Sequence, residues 1–258
     1  MASRFGERTR VGEAVSGLGR RVQPLKGFPA PSGYNTTNLR QWFDAGVVAS
    51  YPGTGTTVTD LSGNNNHGTL VNGVTWTYSD TPSFNLDGTD DYIASTGETV
   101  PNAGPNTYDM WVNLSPGFDG YFFGMAGPDT HGAQSGYCSD DGNYIYSAAW
   151  GGGGNPLSYT YTVSNPGWIN LTFTYHSSAT PKRAIYLDGT LVASSSGFEG
   201  SSGGGIAVPW GTVRYNTGSY DTSFTLNGKF GMMARYTRIL SGAEITSNFN
   251  AYKSRFGR

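Results

Sequence analysis

The sequence predicts an all-β fold: antiparallel sheets packed as a sandwich or closed as a barrel, with one short helix near the C-terminus and an extended arm at the N-terminus. Three observations predict it. Turn-forming dipeptides recur about every 8–12 residues from Leu39 onward. Between them, apolar and polar residues alternate with period two in runs rich in β-branched and aromatic side chains, the pattern of half-buried strands. Composition is the third: of 258 residues 39 are Gly and 13 Pro, only 13% are charged and 14% are aromatic. Few charges and few strong helix formers argue against a bundle or coiled coil. The aromatic content excludes a disordered chain, which lacks the apolar surface to offset its ordering entropy. With no run of about 18 apolar residues, a transmembrane helix is excluded.

Taken in chain order, the first element is the arm. Residues 1–33 hold Arg4, Arg8, Arg10, Arg20, Arg21 and Lys26 against Glu7 and Glu13, a net of +4, whereas residues 34–258 hold ten basic and sixteen acidic residues, a net of −6. Val11, Val15, Leu18 and Val22 fall at helical spacing, but Gly12, Gly17 and Gly19 interrupt them and weaken any helix. Residues 24–33 have the Pro/Gly composition of an extended linker. The chain therefore divides into a basic arm, 1–33, that orders on an anionic partner surface, and a body, 34–258. The body's negative charge argues against its binding nucleic acid. No apolar stretch follows the arm's arginines, so it does not read as a secretory signal, and the sequons at Asn35, Asn113 and Asn170 carry no meaning without a secretory route. Cys138 is the only cysteine, which rules out an intrachain disulfide and a multi-cysteine zinc site.

In the body, Asn72-Gly73, Asp87-Gly88, Asp119-Gly120, Asp188-Gly189 and Asn227-Gly228 read as hairpin turns, whose Gly accepts positive φ. Met110, Val112 and Leu114 point to one side of a strand. Ile169, Leu171, Phe173 and Tyr175 do the same in another, with Asn170, Thr172 and Thr174 on its other face. Residues 151–154 and 194–205 read as exposed Gly/Ser loops. Leu-Asp-Gly-Thr occurs at 86–89 and 187–190 as reused turn chemistry without a repeat architecture. The helix is placed by the capping box Ser241-Gly242-Ala243-Glu244, after which Ile245, Phe249 and Tyr252 share one side.

Four segments together resemble the laminin-G-like, concanavalin A-like jelly-roll superfamily: Trp42–Ala45 with Val58–Leu70; Phe84–Ile93; Trp168–Tyr175 followed by Ile185–Leu191; and Gly231–Ile245. The resemblance spans roughly residues 39–258. It implies a two-sheet antiparallel jelly-roll sandwich whose concave face or rim loops often bind carbohydrate, sometimes with calcium. Such domains are frequent in bacteriophage virion surface proteins and in secreted proteins. The superfamily holds lectins, hydrolases and adhesion modules, so the fold alone does not choose among them.

The residues narrow that choice. A glycosidase needs two carboxylates about 5 Å apart, and the hydrolase branch supplies them as Glu-x-Asp-x-x-Glu on one strand. Beyond the arm this chain has only Glu98, Glu199 and Glu244, none within three residues of another acid. An aspartate pair brought together in space stays open. Residues 200–204 match G-x-S-x-G, but in a Gly/Ser loop rather than at a strand-to-helix elbow. His67, His131 and His176 show no zinc-ligand spacing. Calcium wants clustered oxygens; the candidates are Asp60 with Asn64–Asn66, the turn of Asp87, Asp90 and Asp91, and Asp140 with Asp141. Asp60 leads by family analogy, and turn chemistry is the alternative at each.

A sugar site needs an aromatic face beside polar groups. Residues 128–161 are richest in both, and Asp129, His131, Tyr137, Asp140, Asp141 and Trp150 are the candidate glycan-binding residues. Tyr144, Tyr146 and Trp150 read either as core-filling strand residues or as part of that platform. Lys253, Arg255 and Arg258 are candidates for a subunit contact. These readings converge on a non-enzymatic structural protein of a bacteriophage virion, a capsid decoration protein or head fibre. Its arm would grip a capsid or tail protein, and its lectin-like domain would face outward in a homo-oligomer. The alternative is a carbohydrate-binding adhesion module or tail-fibre receptor-binding protein. No cofactor is required, though calcium fits; neither a membrane nor nucleic acid is expected as a partner.

Overall fold

The computed structural model describes residues 30–258 other than 98, 101–103, 118, 127–131, 140–142, 149–155, 162–166, 198–205 and 216. Its strands are β1 (Leu39–Asp44), β2 (Thr57–Val58), β3 (Gly68–Val71), β4 (Thr75–Thr77), β5 (Ser83–Asp87), β6 (Tyr92–Ser95), β7 (Asn106–Leu114), β8 (Gly120–Ala126), β9 (Gly132–Ser139), β10 (Tyr144–Ala148), β11 (Leu157–Thr160), β12 (Trp168–Tyr175), β13 (Arg183–Leu187), β14 (Thr190–Ser195), β15 (Arg214–Tyr215) and β16 (Asn227–Tyr236), followed by the helix α1 (Gly242–Tyr252).

One layer is an eight-stranded sheet in the order β14-β13-β12-β7-β16-β5-β4, with β1 also paired to β16. On one edge of β16, residues 227–230 pair with β5 and residues 232–236 with β1. The other layer combines β11-β10-β9-β8-β15 with β2-β3-β6. Trp210 joins these two sheets, exchanging backbone hydrogen bonds with Ile93 and bridging to Phe123. β15 runs parallel to β8. The architecture is the antiparallel jelly-roll sandwich, and its core between the layers holds Met110, Val112, Leu114, Phe123, Ile169, Leu171, Phe173, Phe230 and Trp210.

A second core lies on the outer face of the eight-stranded sheet, where α1 and the segment from Tyr34 cover Trp111, Met232, Ala234 and Tyr236. The capping box forms: the Glu244 N–H donates to Ser241 Oγ (3.3 Å) and the Ser241 N–H to Glu244 Oε2 (2.8 Å). This cover corrects one expectation. Asn170, Thr172 and Thr174 face away from the main core, yet all three are buried, because α1 and its flanking segments roof this part of the sheet.

Two turn expectations part ways. Asp188 and Gly189 both have positive φ, 47° and 76°, as a two-residue hairpin turn requires. Asn227-Gly228, by contrast, lies inside β16. A Cβ on Gly228 would sit 2.7 Å from the Asn113 carbonyl oxygen, so this glycine permits close approach of strands rather than a reversal. Ser194 and Ser195, expected in a loop, close β14. Arg255 is not a free subunit contact: its Nη1 donates to both oxygens of buried Asp44 (2.6 and 2.8 Å), where Tyr252 also donates (3.0 Å). Residues 30–33, counted with the arm on composition, touch the body: Ser247 Oγ donates to the Gly33 carbonyl (2.7 Å).

Candidate functional site

Among the described residues, two aromatic groups near the surface of the sandwich bear on binding. The first is a row on the five-stranded sheet, where Tyr121, Tyr137 and Tyr146 occupy directly opposed positions of β8, β9 and β10. Cys138 and Ile145 point into the main core, so alternation sends Tyr137, Tyr144 and Tyr146 outward. Of the two readings open for Tyr144 and Tyr146, the core-filling one is thereby set aside. The row is packed against itself: Tyr137 and Tyr146 stack at 4.9 Å and 13°, and Tyr121 tilts onto Tyr137 at 5.4 Å. Phe224 meets Tyr121 edge-on at 5.2 Å. Burial, with Asp221 and Tyr215 adding to it, pushes the Tyr121 hydroxyl up to about 12. These ring faces are largely spent on one another.

The second group stands at the edge strand β4, which Asn72-Gly73 introduces and only β5 flanks. Trp76 is paired with Phe84 and packs partly buried against the main core. Its indole Nε1–H donates to the Ala45 carbonyl (2.9 Å). Tyr51 meets it at 5.7 Å and 63°, and the Tyr51 hydroxyl donates to the Gly55 carbonyl (2.7 Å). Tyr78, two residues on, leans on Trp76 at 5.6 Å and 43°. Gly53 has φ +89°, and a Cβ there would lie 2.9 Å from the indole ring; only glycine lets this loop approach so closely. Tyr51, Trp76 and Tyr78, with Ala45, Gly46, Val48 and Pro52, line a cavity of about 320 Å³. Tyr78 is 59% exposed, and its hydroxyl has no partner among the described residues. The polar ends of Trp76 and Tyr51 are tied to backbone, so aromatic surface and one free hydroxyl are what the cavity offers. That suits a small ring with C–H groups on one side and hydroxyls on the other, because the electron-rich ring face attracts polarised C–H groups.

The described carboxylates are largely committed to structure. Asp109 is buried and accepts from Asn170 (2.8 Å), Thr172 (3.0 Å), Asn248 (3.1 Å) and Tyr34 (3.4 Å). Burial raises its pKa and these donors oppose the rise; the group ties β7, β12, α1 and the entering chain together. Glu244 is held down to about 2, first by its hydrogen bonds with Arg238 and then by those with Ser241. Asp60 is saturated by the backbone N–H groups of Trp42, Ser62 and Asn66 and by the Ser62 hydroxyl. Its neighbour Asn64 donates to the Leu39 carbonyl (2.9 Å). Turn chemistry thus accounts for Asp60 and Asn64, and such a donor-filled carboxylate does not fit a calcium ligand. His67 Nδ1 accepts the Asp60 N–H (3.1 Å).

Asp87, Asp90 and Asp91 bring one oxygen each within 4.8 Å of one another. Their spacing fits a cation, and it is also of the order that a catalytic carboxylate pair needs. Buried Asp91 has a raised pKa, first through desolvation and also through Asp87 and Asp90. Two of their oxygens serve the turn itself, accepting the Thr89 N–H (2.8 Å, Asp87) and the Asp87 N–H (3.1 Å, Asp91).

Of the predicted glycan residues the structure describes Tyr137, in the tyrosine row. Asp129, His131, Asp140, Asp141 and Trp150 lie outside the described residues, as do Glu98, Glu199 and arm residues Arg4, Arg8, Arg10, Arg20, Arg21 and Lys26. Sequence reasoning missed Trp76 and Tyr78. The available signal was Thr75-Trp76-Thr77-Tyr78, two aromatics at period two just after an Asn-Gly turn.

Comparison with known proteins agrees with this architecture. The family described as Concanavalin A-like lectin/glucanases superfamily matches residues 87–246. No curated protein matches the chain. A sialidase of Trypanosoma rangeli in complex with sialic acid superposes with a TM-score of 0.60 at 12% identity, over 87% of this chain and 34% of the sialidase chain. The binding domain of botulinum neurotoxin DC in complex with SialylT gives 0.59 at 12%, over 84% and 52%. Botulinum neurotoxin type C, described as entering cells through interaction with two ganglioside molecules, gives 0.61 at 15%, over 84% and 51%. The chain thus spans about a third to a half of these proteins, and at such identities the likeness is one of fold.

Proposed function

Because this chain belongs to the concanavalin A-like lectin/glucanase superfamily, we propose that it is a non-catalytic glycan-binding domain, and that the Trp76–Tyr78 cavity holds a pyranose ring. The observation that carries this reading is the exposed Tyr78 ring beside a backbone-pinned Trp76 at the mouth of a cavity of about 320 Å³. That the neurotoxin domains and the sialidase are described with sialylated or ganglioside ligands supports glycan as the ligand class. The commitment of Asp44, Asp60, Asp109 and Glu244 to structural bonds supports a binding role over hydrolysis. The test is a glycan array followed by calorimetry, with Tyr78→Ala as the control. Saturable binding, weakened about fivefold to tenfold in that variant, is expected, and no binding at millimolar sugar would overturn the reading.

The charge division favours a second, compatible reading: the +4 of residues 1–33 against the −6 of the body suits an arm that anchors the domain to an anionic surface and displays it. A bacteriophage virion, with the chain as capsid decoration protein or head fibre, is the setting this reading names. Co-sedimentation with decoration-free capsids tests it. Binding by the full chain, lost on deleting residues 1–29, is expected; absence of binding by both forms would sink it.

A further inference from the structure

On the outer face of the eight-stranded sheet, outside the roofed area, three strands expose a polar row. Lys229 of β16 is paired with Asn85 of β5 on one side and Asn113 of β7 on the other. Phe230, Phe84, Val112 and Leu114 point into the core, so alternation places Lys229, Asn85 and Asn113 together on the outer face. With Asn227 and Ser115 they line a groove of about 300 Å³.

The hydrogen-bond inventory of this groove is unbalanced. Asn85 is satisfied, donating to Thr77 Oγ1 (2.7 Å) and accepting from Ser83 Oγ (2.9 Å). Asn227 spends its carbonyl oxygen on the Ser115 hydroxyl (2.8 Å), which leaves its NH₂ group to donate. The Asn113 carboxamide and the Lys229 ammonium have no side-chain partner among the described residues. An ammonium and two amide NH₂ groups therefore face the groove against two side-chain acceptors, the Asn113 carbonyl and Ser115 hydroxyl oxygens. Asp87, opposite Asn227, turns one oxygen back to the Thr89 N–H. A donor-rich groove around a lone cation calls for an acceptor-rich anion of small-molecule size.

We propose that this groove binds the carboxylate of an acidic sugar residue, a uronic or a sialic acid carried in a longer glycan. The inference rests on the glycan-binding reading and adds the charge class of the ligand. Lys229 makes the charge-assisted bond, and Asn113 and Asn227 direct their N–H groups to the carboxylate and adjacent hydroxyls. The body's net negative charge repels anions at a distance, so selectivity arises by contact.

The test is an NMR titration of the ¹⁵N-labelled full chain with a glucuronate-containing disaccharide and with sialyllactose, each beside its methyl ester, and with inorganic phosphate. The acids should shift the Asn113 and Asn227 side-chain amides, and the esters should bind about tenfold more weakly. Lys229→Gln should erase that preference while leaving the response of the Trp76 indole N–H to neutral sugar intact. Acid and ester behaving alike, a preference that survives Lys229→Gln, or equal shifts from phosphate would each overturn the assignment. If neutral sugars still move the Trp76 signal in those cases, only the groove assignment falls. If no sugar moves either set of signals, the glycan reading falls with it. A response confined to one of the two acids identifies which one the groove takes.

Discussion

The tyrosine row on the five-stranded sheet and the Trp76–Tyr78 cavity are built from the same residue types but present them differently. In the row, Tyr146 lies flat on Tyr137 at 4.9 Å, and Tyr121 and Phe224 close over the neighbouring positions. The rings there bury one another as a cross-strand ladder does. At β4 the partner strand is missing on one side, and the loop containing Gly53 bends over the indole. A concavity remains with Tyr78 standing open at its rim. Aromatic content alone therefore does not mark a binding surface; unspent ring faces do.

The comparison can be broken by substitution. The largest effect is expected from Trp76→Ala, which removes the wall and its bond to Ala45. Glycan binding should be lost, and unfolding titrations should show about 2 kcal/mol less stability. Tyr78→Ala should weaken binding about fivefold to tenfold while leaving stability within about 0.5 kcal/mol, as calorimetry and thermal melts would show. Tyr146→Ala should do the opposite, costing about 1 kcal/mol of stacking with affinity unchanged. A loss of affinity in Tyr146→Ala would shift the site to the row.

The smallest effect is one of pH. Glu244 is held down to about 2 in the folded chain, below its unfolded value, so its contribution is complete above about 4.5. That contribution fades as pH falls toward 2. Melting temperature should decline over that window, less steeply in Glu244→Gln. Affinity for neutral sugar should stay flat from pH 5 to pH 8, roughly the histidine range, because neither a histidine nor a carboxylate is among the described residues lining the cavity.

Much of the fold was legible. Ile169, Leu171, Phe173 and Tyr175 declared a strand by period, and the Ser241–Glu244 capping box marked the start of α1. Other features depended on tertiary partners that local pattern does not encode. Gly228 looked like a turn glycine, but the Asn113 carbonyl requires it within a strand. Asn170 and Thr172 looked solvent-facing, yet they are buried because Asp109 gathers them beneath Asn248 of α1. Trp76 and Tyr78 gave a readable period over a three-residue strand. That they form a wall depends on the loop through Tyr51 and Gly53, some 25 residues earlier, and no local window joins the two. Lys229 was hidden for a similar reason, because its asparagine neighbours come from strands far apart in sequence.

The central claim is that open ring faces at β4 hold the ligand. Its most direct test follows the Trp76 indole N–H signal, assigned by its absence in Trp76→Phe, during titration with a panel of neutral oligosaccharides. A saturable shift of that signal, with the amides of Tyr137 and Tyr146 unmoved, is the predicted result. Shifts confined to the tyrosine row, or no shift from any member of the panel at millimolar sugar, would contradict it.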